Sequence, residues 1–293
     1  MEVSNLTLLN GESFDESVLG IVTWSQQPIG DMPHTSLLYD FDSVLLVLHD
    51  DTWTGPKVTH TLKGERRTQV LHMNLESLER AVTSGDNSDA IMPLLSGDIV
   101  VDPGGKIAEL RREISGFSGQ LRERVLLTEF ARFLHGYVKA KRHLQNACVL
   151  DACSSLMAAL HHWARVEVGE SGAYPLPAVW EQVQGVNNSV PKLYEELTVS
   201  SETLEQRVQL VLLACEFSIM SKMADCCGLL MRVLGSRQEP WSVEELLEIP
   251  AFDHLQAELP VVLQKMVYRS LVREIPSWAN RSEYGGSSVR YAI

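Results

Sequence analysis

The chain has 293 residues, 45% of them hydrophobic and 22% charged, which is too apolar for a disordered chain and too evenly mixed for a fibrous one. At roughly 100–200 residues per domain, the length predicts two or three domains. Thirty-eight Asp and Glu against 25 Lys and Arg leave a net charge of −13, which excludes broad binding to a phosphate backbone as the main role, because nucleic-acid binders concentrate positive charge.

The charge is unevenly placed. Residues 1–104 carry 16 acidic and 5 basic side chains, a net of −11, whereas residues 105–293 carry 22 and 20, a net of −2. The start, Met1-Glu2-Val3-Ser4-Asn5, has neither the basic nor the long apolar stretch of an export leader. No apolar run approaches the ~18 residues of a membrane span. Five cysteines, an odd number without C-x-x-C spacing, suggest reduced thiols rather than a disulfide frame or a zinc site. The expectation is a cytoplasmic protein without membrane contact.

In chain order, residues 18–24 form a β-branched apolar run that predicts a strand, followed by a polar loop over 25–36. Residues 37–48 end in a continuous apolar stretch suited to a strand covered on both faces. A third strand is predicted at 68–74, a helix at 75–83, and a fourth strand at 98–102, closed by Pro103-Gly104-Gly105. Strands alternating with helices indicate an α/β sheet. From Lys106 the texture becomes helical. Ile107, Leu110 and Ile114 share a face, and residues 121–168 run almost without Pro or Gly, interrupted at Gly136. That pattern predicts two or more long amphipathic helices packed on each other. A further helix is predicted from Ser201 toward Leu234. Ser242 with Glu245 is a capping box, and Pro260 suits the first turn of another helix. The C-terminal segment resembles a winged-helix or helix-turn-helix unit followed by an irregular tail from Ser277. The fold class expected is α+β of α/β type, in three parts: 1–110 a mixed sheet with helices, 111–234 a helical bundle, and 235–293 the small C-terminal unit.

Asp40-Phe41-Asp42 is the short motif with possible chemistry. Alternation in a strand puts both carboxylates on one face with Phe41 on the other. Two adjacent anions call for a hard divalent cation such as Mg²⁺, which in turn bridges nucleotide phosphates. Equally, two aspartates can mark the solvated start of a buried strand.

The order of strand, polar loop, Asp-x-Asp, further strands and helical bundle resembles the DNA polymerase β-like nucleotidyltransferases. Across most of residues 15–275 the chain resembles the nucleotidyltransferase-like proteins of Gram-positive bacteria. The segments carrying that resemblance include Tyr39-Asp40-Phe41-Asp42-Ser43, Gly97-Asp98-Ile99-Val100-Val101-Asp102, Val179-Trp180-Glu181, Lys192-Leu193-Tyr194-Glu195-Glu196 and Pro240-Trp241-Ser242. It implies a catalytic-type α/β domain, a helical substrate-binding domain and Mg²⁺-dependent transfer of a nucleotidyl group from an NTP to an unidentified acceptor. Asp40 and Asp42 are the implied metal ligands. The family pattern sets Gly and then Gly or Ser about ten residues before Asp-x-Asp. Here Ser25 follows Trp24 with 14 residues between it and Asp40, and Gly30 lies in the same loop. For a third carboxylate the matching position is His72, a poor Mg²⁺ ligand, with Asp102 the substitute if its strand is adjacent. Asp102 reads equally as a turn residue before Pro103. Lys192 and Tyr194 are candidates for lining a ligand cleft.

Other features read as structural. His161-His162 lack a carboxylate at metal-ligand spacing, Cys226-Cys227 suit buried inert thiols, and Arg66 and Arg67 suit a charged hairpin. The alternative to an enzyme is a degenerate nucleotidyltransferase fold serving as a ligand-sensing or protein- or DNA-contacting module. Against strong DNA binding, residues 236–293 hold 6 basic and 8 acidic side chains. A third possibility is an interaction protein whose acidity serves solubility.

Overall fold

A computed structural model describes residues 17–25, 41–85, 88–281 and 287–293. The chain divides into two compact units, Met1–Gly116 and Phe117–Ile293, where the sequence reading gives three parts. No described helix is long and apolar enough to cross a membrane.

The first unit is built on a five-stranded sheet of β1 (Val18–Trp24), β2 (Ser43–His49), β3 (Val58–Lys63), β4 (Arg66–Asn74) and β5 (Asp98–Val101), in the order β3-β4-β2-β1-β5. β2 and β4 run parallel, and the other neighbours are antiparallel. The three predicted strands that reach these residues in full are present at nearly the expected bounds. β3 is the strand the pattern misses, because Val58-Thr59-His60-Thr61-Leu62-Lys63 is a largely exposed edge without a continuous apolar run. Helices α1 (Leu75–Ser84) and α2 (Ser88–Ser96) pack on β1, β2 and β4, burying Leu78, Val82, Ile91 and Leu94. Asn74 caps α1 by accepting the Ser77 N–H at 2.9 Å. Between α2 and β5 only glycine fits at 97, since a Cβ there would lie 2.5 Å from Val22 Cγ1 and 2.6 Å from the Pro93 carbonyl. Helix α3 (Lys106–Gly116) buries Ile107, Leu110 and Ile114, the stripe read from the sequence.

The second unit is helical. The predicted helical stretch over 121–168 is α4 (Gly119–Gln145) and α5 (Val149–Glu170), broken at Asn146–Cys148 and not at Gly136. Gly136 instead lets the two helices approach, since a Cβ there would sit 3.0 Å from Ala159 Cβ. Phe130, Phe133, Leu134, Leu156 and Leu160 form the middle of this contact, and Phe133 stacks on Trp163 at 5.3 Å. Around the pair lie α6 (Val179–Gln184), α7 (Ser189–Val199), α8 (Leu204–Cys226) and α9 (Gly228–Leu234). α8 begins one turn after Ser201, because Thr203 and Gln206 form a reciprocal capping box.

The C-terminal segment supplies α10 (Val243–Leu247), opened by the predicted Ser242–Glu245 capping box, and α11 (Leu259–Tyr268), with Pro260 in its first turn. An antiparallel hairpin, β6 (Arg273–Arg281) with β7 (Ser287–Ala292), follows where an irregular tail is expected. Trp241 and Tyr291 exchange backbone hydrogen bonds of 2.8 and 2.7 Å, pinning β7. Leu246, Phe252, Leu259, Leu263 and Tyr291 belong to the same buried cluster as α4 and α5. Helices this short cannot bury a core of their own and share the larger one.

Candidate functional site

At one end of the sheet, Asp42 precedes β2 and exchanges backbone contacts with Arg67. Its N–H donates to the Arg67 carbonyl at 2.9 Å, and the Arg67 N–H donates to Asp42 Oδ2 at 2.7 Å. Phe41 packs against His60 at 4.6 Å. Trp24 pairs with Val44, so Ser25, directly after Trp24, lies at the same end of the neighbouring strand. Asp40 and Gly30 fall outside the described residues.

The two proposed completions of an Asp-based site lie elsewhere. His72 pairs with Val47, five residues along β4 from Arg67, roughly 16 Å at ~3.3 Å per residue. Its Nδ1 meets His49 Nε2 at 2.9 Å and its Nε2 meets Thr59 Oγ1 at 3.1 Å, while Trp53 stacks on His49 at 3.9 Å. Burial lowers the His72 pKa, disfavouring its charged form. Asp102 directly follows β5, which borders β1 and not β2. Its carboxylate accepts the N–H groups of Ile107 at 3.3 Å and Ala108 at 2.9 Å, which caps the first turn of α3. Among the described residues, no three His, Cys, Asp or Glu side chains come together to hold a metal.

The helical unit concentrates buried charge. Glu129 on α4 is 1% exposed. Its Oε1 accepts from Arg165 Nε at 2.6 Å and its Oε2 pairs with His162 Nδ1 at 2.7 Å. Burial by itself would raise this carboxyl's pKa. The His162 hydrogen bond, the charges of Arg165 and His162 and the Arg165 hydrogen bond outweigh it and bring the pKa to about 2. Arg165 Nη1 also donates to the Leu176 carbonyl at 3.0 Å, tying α5 to the loop before α6. Gln182 closes the same loop, accepting from Leu176 N at 2.8 Å and donating to the Tyr174 carbonyl at 3.0 Å. Next to His162, the ring of His161 meets Trp180 edge-on at 6.1 Å, and Trp180 meets Tyr194 at 4.8 Å. All three rings are half-buried. Burial first, then the charges of His162 and Arg165, push His161 below the ordinary imidazole range.

A second network lies further along α5. Trp163 Nε1 donates to Glu167 Oε1 at 2.6 Å, Asn187 Nδ2 donates to Glu167 Oε2 at 3.0 Å, and Lys222 bridges Glu167 at 3.0 Å and Glu170. Of the two predicted cleft residues on α7, Tyr194 joins the aromatic face and Lys192 is exposed. Burial pushes the Cys215 and Cys227 thiols up to about 12, and Cys226 also rises, as expected of inert thiols.

Glu129, Arg165 and Trp180 are absent from the sequence-derived site. The signal for Glu129 is its place in the row Val125, Glu129, Phe133, a charge at the i+4 position of an apolar stripe. Charged residues are almost never fully buried without a partner. His161 and His162 could not be ranked above core histidines without knowing which helix faces them.

The helical unit also carries the family signal. Residues 123–222 match the family described as the YgxA-like substrate binding domain. Over 239 residues, 81% of each chain, the sequence is 30% identical to the uncharacterized protein YgxA of Bacillus subtilis strain 168. The chain belongs to the YgxA family. The fold of this YgxA-family chain is similar to the crystal structure of a nucleotidyltransferase-like protein from Exiguobacterium sibiricum, with a TM-score of 0.78, 27% identity, and 94% of this chain and 93% of that one covered. The matched YgxA-like segment, from α4 to α8, contains Glu129, His161, His162, Arg165, Trp180 and Tyr194. The sheet-end residues Ser25 and Asp42 lie outside it.

Proposed function

We propose that the protein is a Mg²⁺-dependent nucleotidyltransferase that moves a nucleotidyl group from an NTP to a hydroxyl-bearing acceptor. The observation that carries this reading is the likeness, along 94% of the chain, to the nucleotidyltransferase-like protein of Exiguobacterium sibiricum. The placement of Ser25 and Asp42 at one end of the sheet supports it. Asp40 and Asp42 are the oxygen donors for the ion, and Ser25 and Gly30 are the small residues that let phosphates approach. Asp42 is suited to bind the ion, because the Arg67 amide fixes Oδ2 and, among the described residues, Oδ1 is uncommitted. Bound Mg²⁺ supplies charge neutralisation for the triphosphate. A stretch carrying 16 acidic and 5 basic side chains repels a bare triphosphate, so binding needs the cation. The helical unit, with Tyr194 and Lys192 on α7, holds the acceptor, a role supported by its match to a substrate-binding family.

A thermal-shift titration with each NTP, with and without Mg²⁺, tests this reading. Stabilisation is expected for at least one NTP with Mg²⁺ present, and its loss in Asp42→Asn. Equal stabilisation of the wild type and Asp42→Asn sinks the site. A second reading, a degenerate fold that binds ligand without turnover, is favoured by the engagement of His72 with His49 and of Asp102 with α3. Mg·NTP binding without release of pyrophosphate across a panel of acceptors selects it.

A further inference from the structure

The pairing of Glu129 with His162 puts a hydrogen on the imidazole Nδ1. An ionised carboxylate only accepts, so the hydrogen between Glu129 Oε2 and His162 Nδ1, 2.7 Å apart, belongs to the imidazole. Arg165 balances Glu129 at 2.6 Å, and with Nδ1 committed to Glu129 the outer ring nitrogen, Nε2, is left to hydrogen-bond elsewhere. The His162 side chain is 25% exposed while Glu129 lies 1% exposed behind it, which puts the accessible edge of the ring away from Nδ1. An imidazole oriented by a buried carboxylate presents its far nitrogen as a hydrogen-bond partner for a hydroxyl.

His162 begins a chain of rings that meet edge-on or tilted. His162 meets His161 at 5.7 Å, His161 meets Trp180 at 6.1 Å, and Trp180 meets Tyr194 at 4.8 Å. The Arg165–Leu176 and Gln182 hydrogen bonds brace the loop that leads into α6, so the face is built before any ligand arrives. Large, rigid, amphipathic rings give contact area at low entropic cost. The exposed charges on the same two helices include Glu181, Glu195 and Lys192, an acidic surplus that disfavours an anion.

We infer that the His161–His162–Trp180–Tyr194 cluster binds an uncharged sugar ring, with one apolar ring face on Trp180 and Tyr194 and one hydroxyl hydrogen-bonded to His162 Nε2. The ring comes either as a free sugar or as the ribose of a nucleoside. Its role as the nucleotidyl acceptor rests on the reading above; its binding does not, and requires neither NTP nor Mg²⁺.

The test uses the full chain, uniformly ¹⁵N-labelled, without nucleotide triphosphate or metal. Methyl glucoside, adenosine, adenine and AMP are titrated separately while the Trp180 indole and the His162 ring nitrogens are followed by NMR. Saturable shifts at both residues are expected with methyl glucoside, with adenosine, or with both. The first alone assigns a free sugar and the second alone a nucleoside. Trp180→Phe and Tyr194→Ala are expected to weaken binding about tenfold, equivalent to ~1.4 kcal/mol. His162→Ala abolishes it, and Asp42→Asn leaves it unchanged even where Mg·NTP binding is lost. Thermal midpoints within a few degrees of wild type establish that the variants fold. Adenine binding as well as adenosine, AMP binding more tightly than adenosine, or no saturable shift with either sugar in folded wild type would overturn the inference, as would binding that survives both aromatic substitutions.

Discussion

In the sheet unit, Asp42 and Asp102, the described carboxylates that the sequence singles out, stay at the surface or half-exposed, and backbone amides hold them. Arg67 N–H grips Asp42, and the first turn of α3 grips Asp102. In the helical unit a glutamate that the sequence does not single out lies 1% exposed between an arginine and a histidine. The difference is one of solvation. A surface carboxylate keeps most of its hydration and needs only orienting hydrogen bonds, so it remains available to a ligand. A buried one loses its water and survives only with counter-charges at hydrogen-bond distance, so it organises its neighbours instead of meeting a ligand itself. The sheet end is therefore where charge can be offered, and the helical cluster is where charge sets the direction of other groups.

That contrast can be broken by substitution. Arg165→Met leaves Glu129 buried without its guanidinium and is expected to cost about 3–5 kcal/mol in urea unfolding. A loss below ~1 kcal/mol would mean that Glu129 is solvated after all. Acid sharpens the same point. The Glu129 pKa falls from the ordinary 4.5 to about 2 on folding, so its stabilising contribution is present above 4.5 and is lost as pH drops toward 2. Linkage puts this at ~3 kcal/mol. The pH dependence of unfolding free energy between 5 and 2 should be flatter by that amount in Glu129→Gln. A wild-type-like slope in that variant removes Glu129 as the source.

The surface carboxylates predict smaller effects. Asp102→Ala removes the cap of α3 and should cost ~1 kcal/mol while leaving Mg·NTP binding intact; a loss of nucleotide affinity would restore Asp102 to the site. The smallest effect concerns the C-terminal segment. Arg237 and Arg290 both engage Glu245, with Arg290 Nη1 3.2 Å from Oε1, and Arg237 lies over the Trp241 ring at 3.7 Å. With those cations engaged, no shift of duplex DNA is expected in a low-salt gel assay. A retarded band lost in Arg269→Ala would reverse this.

Much of the fold was legible locally. Short apolar runs marked β1 and β4, period-3.6 stripes marked α3 to α5, and the Ser242–Glu245 pair marked α10, because each signal is carried by residues within a turn or two of one another. The edge strand β3 was not, since an exposed edge has no buried face to select apolar residues. The Asp-x-Asp motif was legible as a motif, but the position of its would-be third ligand was not: that depends on strand order, which places β5 beside β1 and His72 far along β4.

By itself, the sequence determined the composition of each layer: a net −11 across the sheet-forming third, apolar stripes along the main helices, and the capping box that opens α10. These follow from local chemistry, since periodicity and capping involve neighbours in the chain. Only the tertiary structure decided which charges meet. Glu129 and Arg165 are 36 residues apart, and His161, Trp180 and Tyr194 come from three helices. Whether such side chains form an ion pair or a ring face depends on helix packing, and no window of sequence contains both partners.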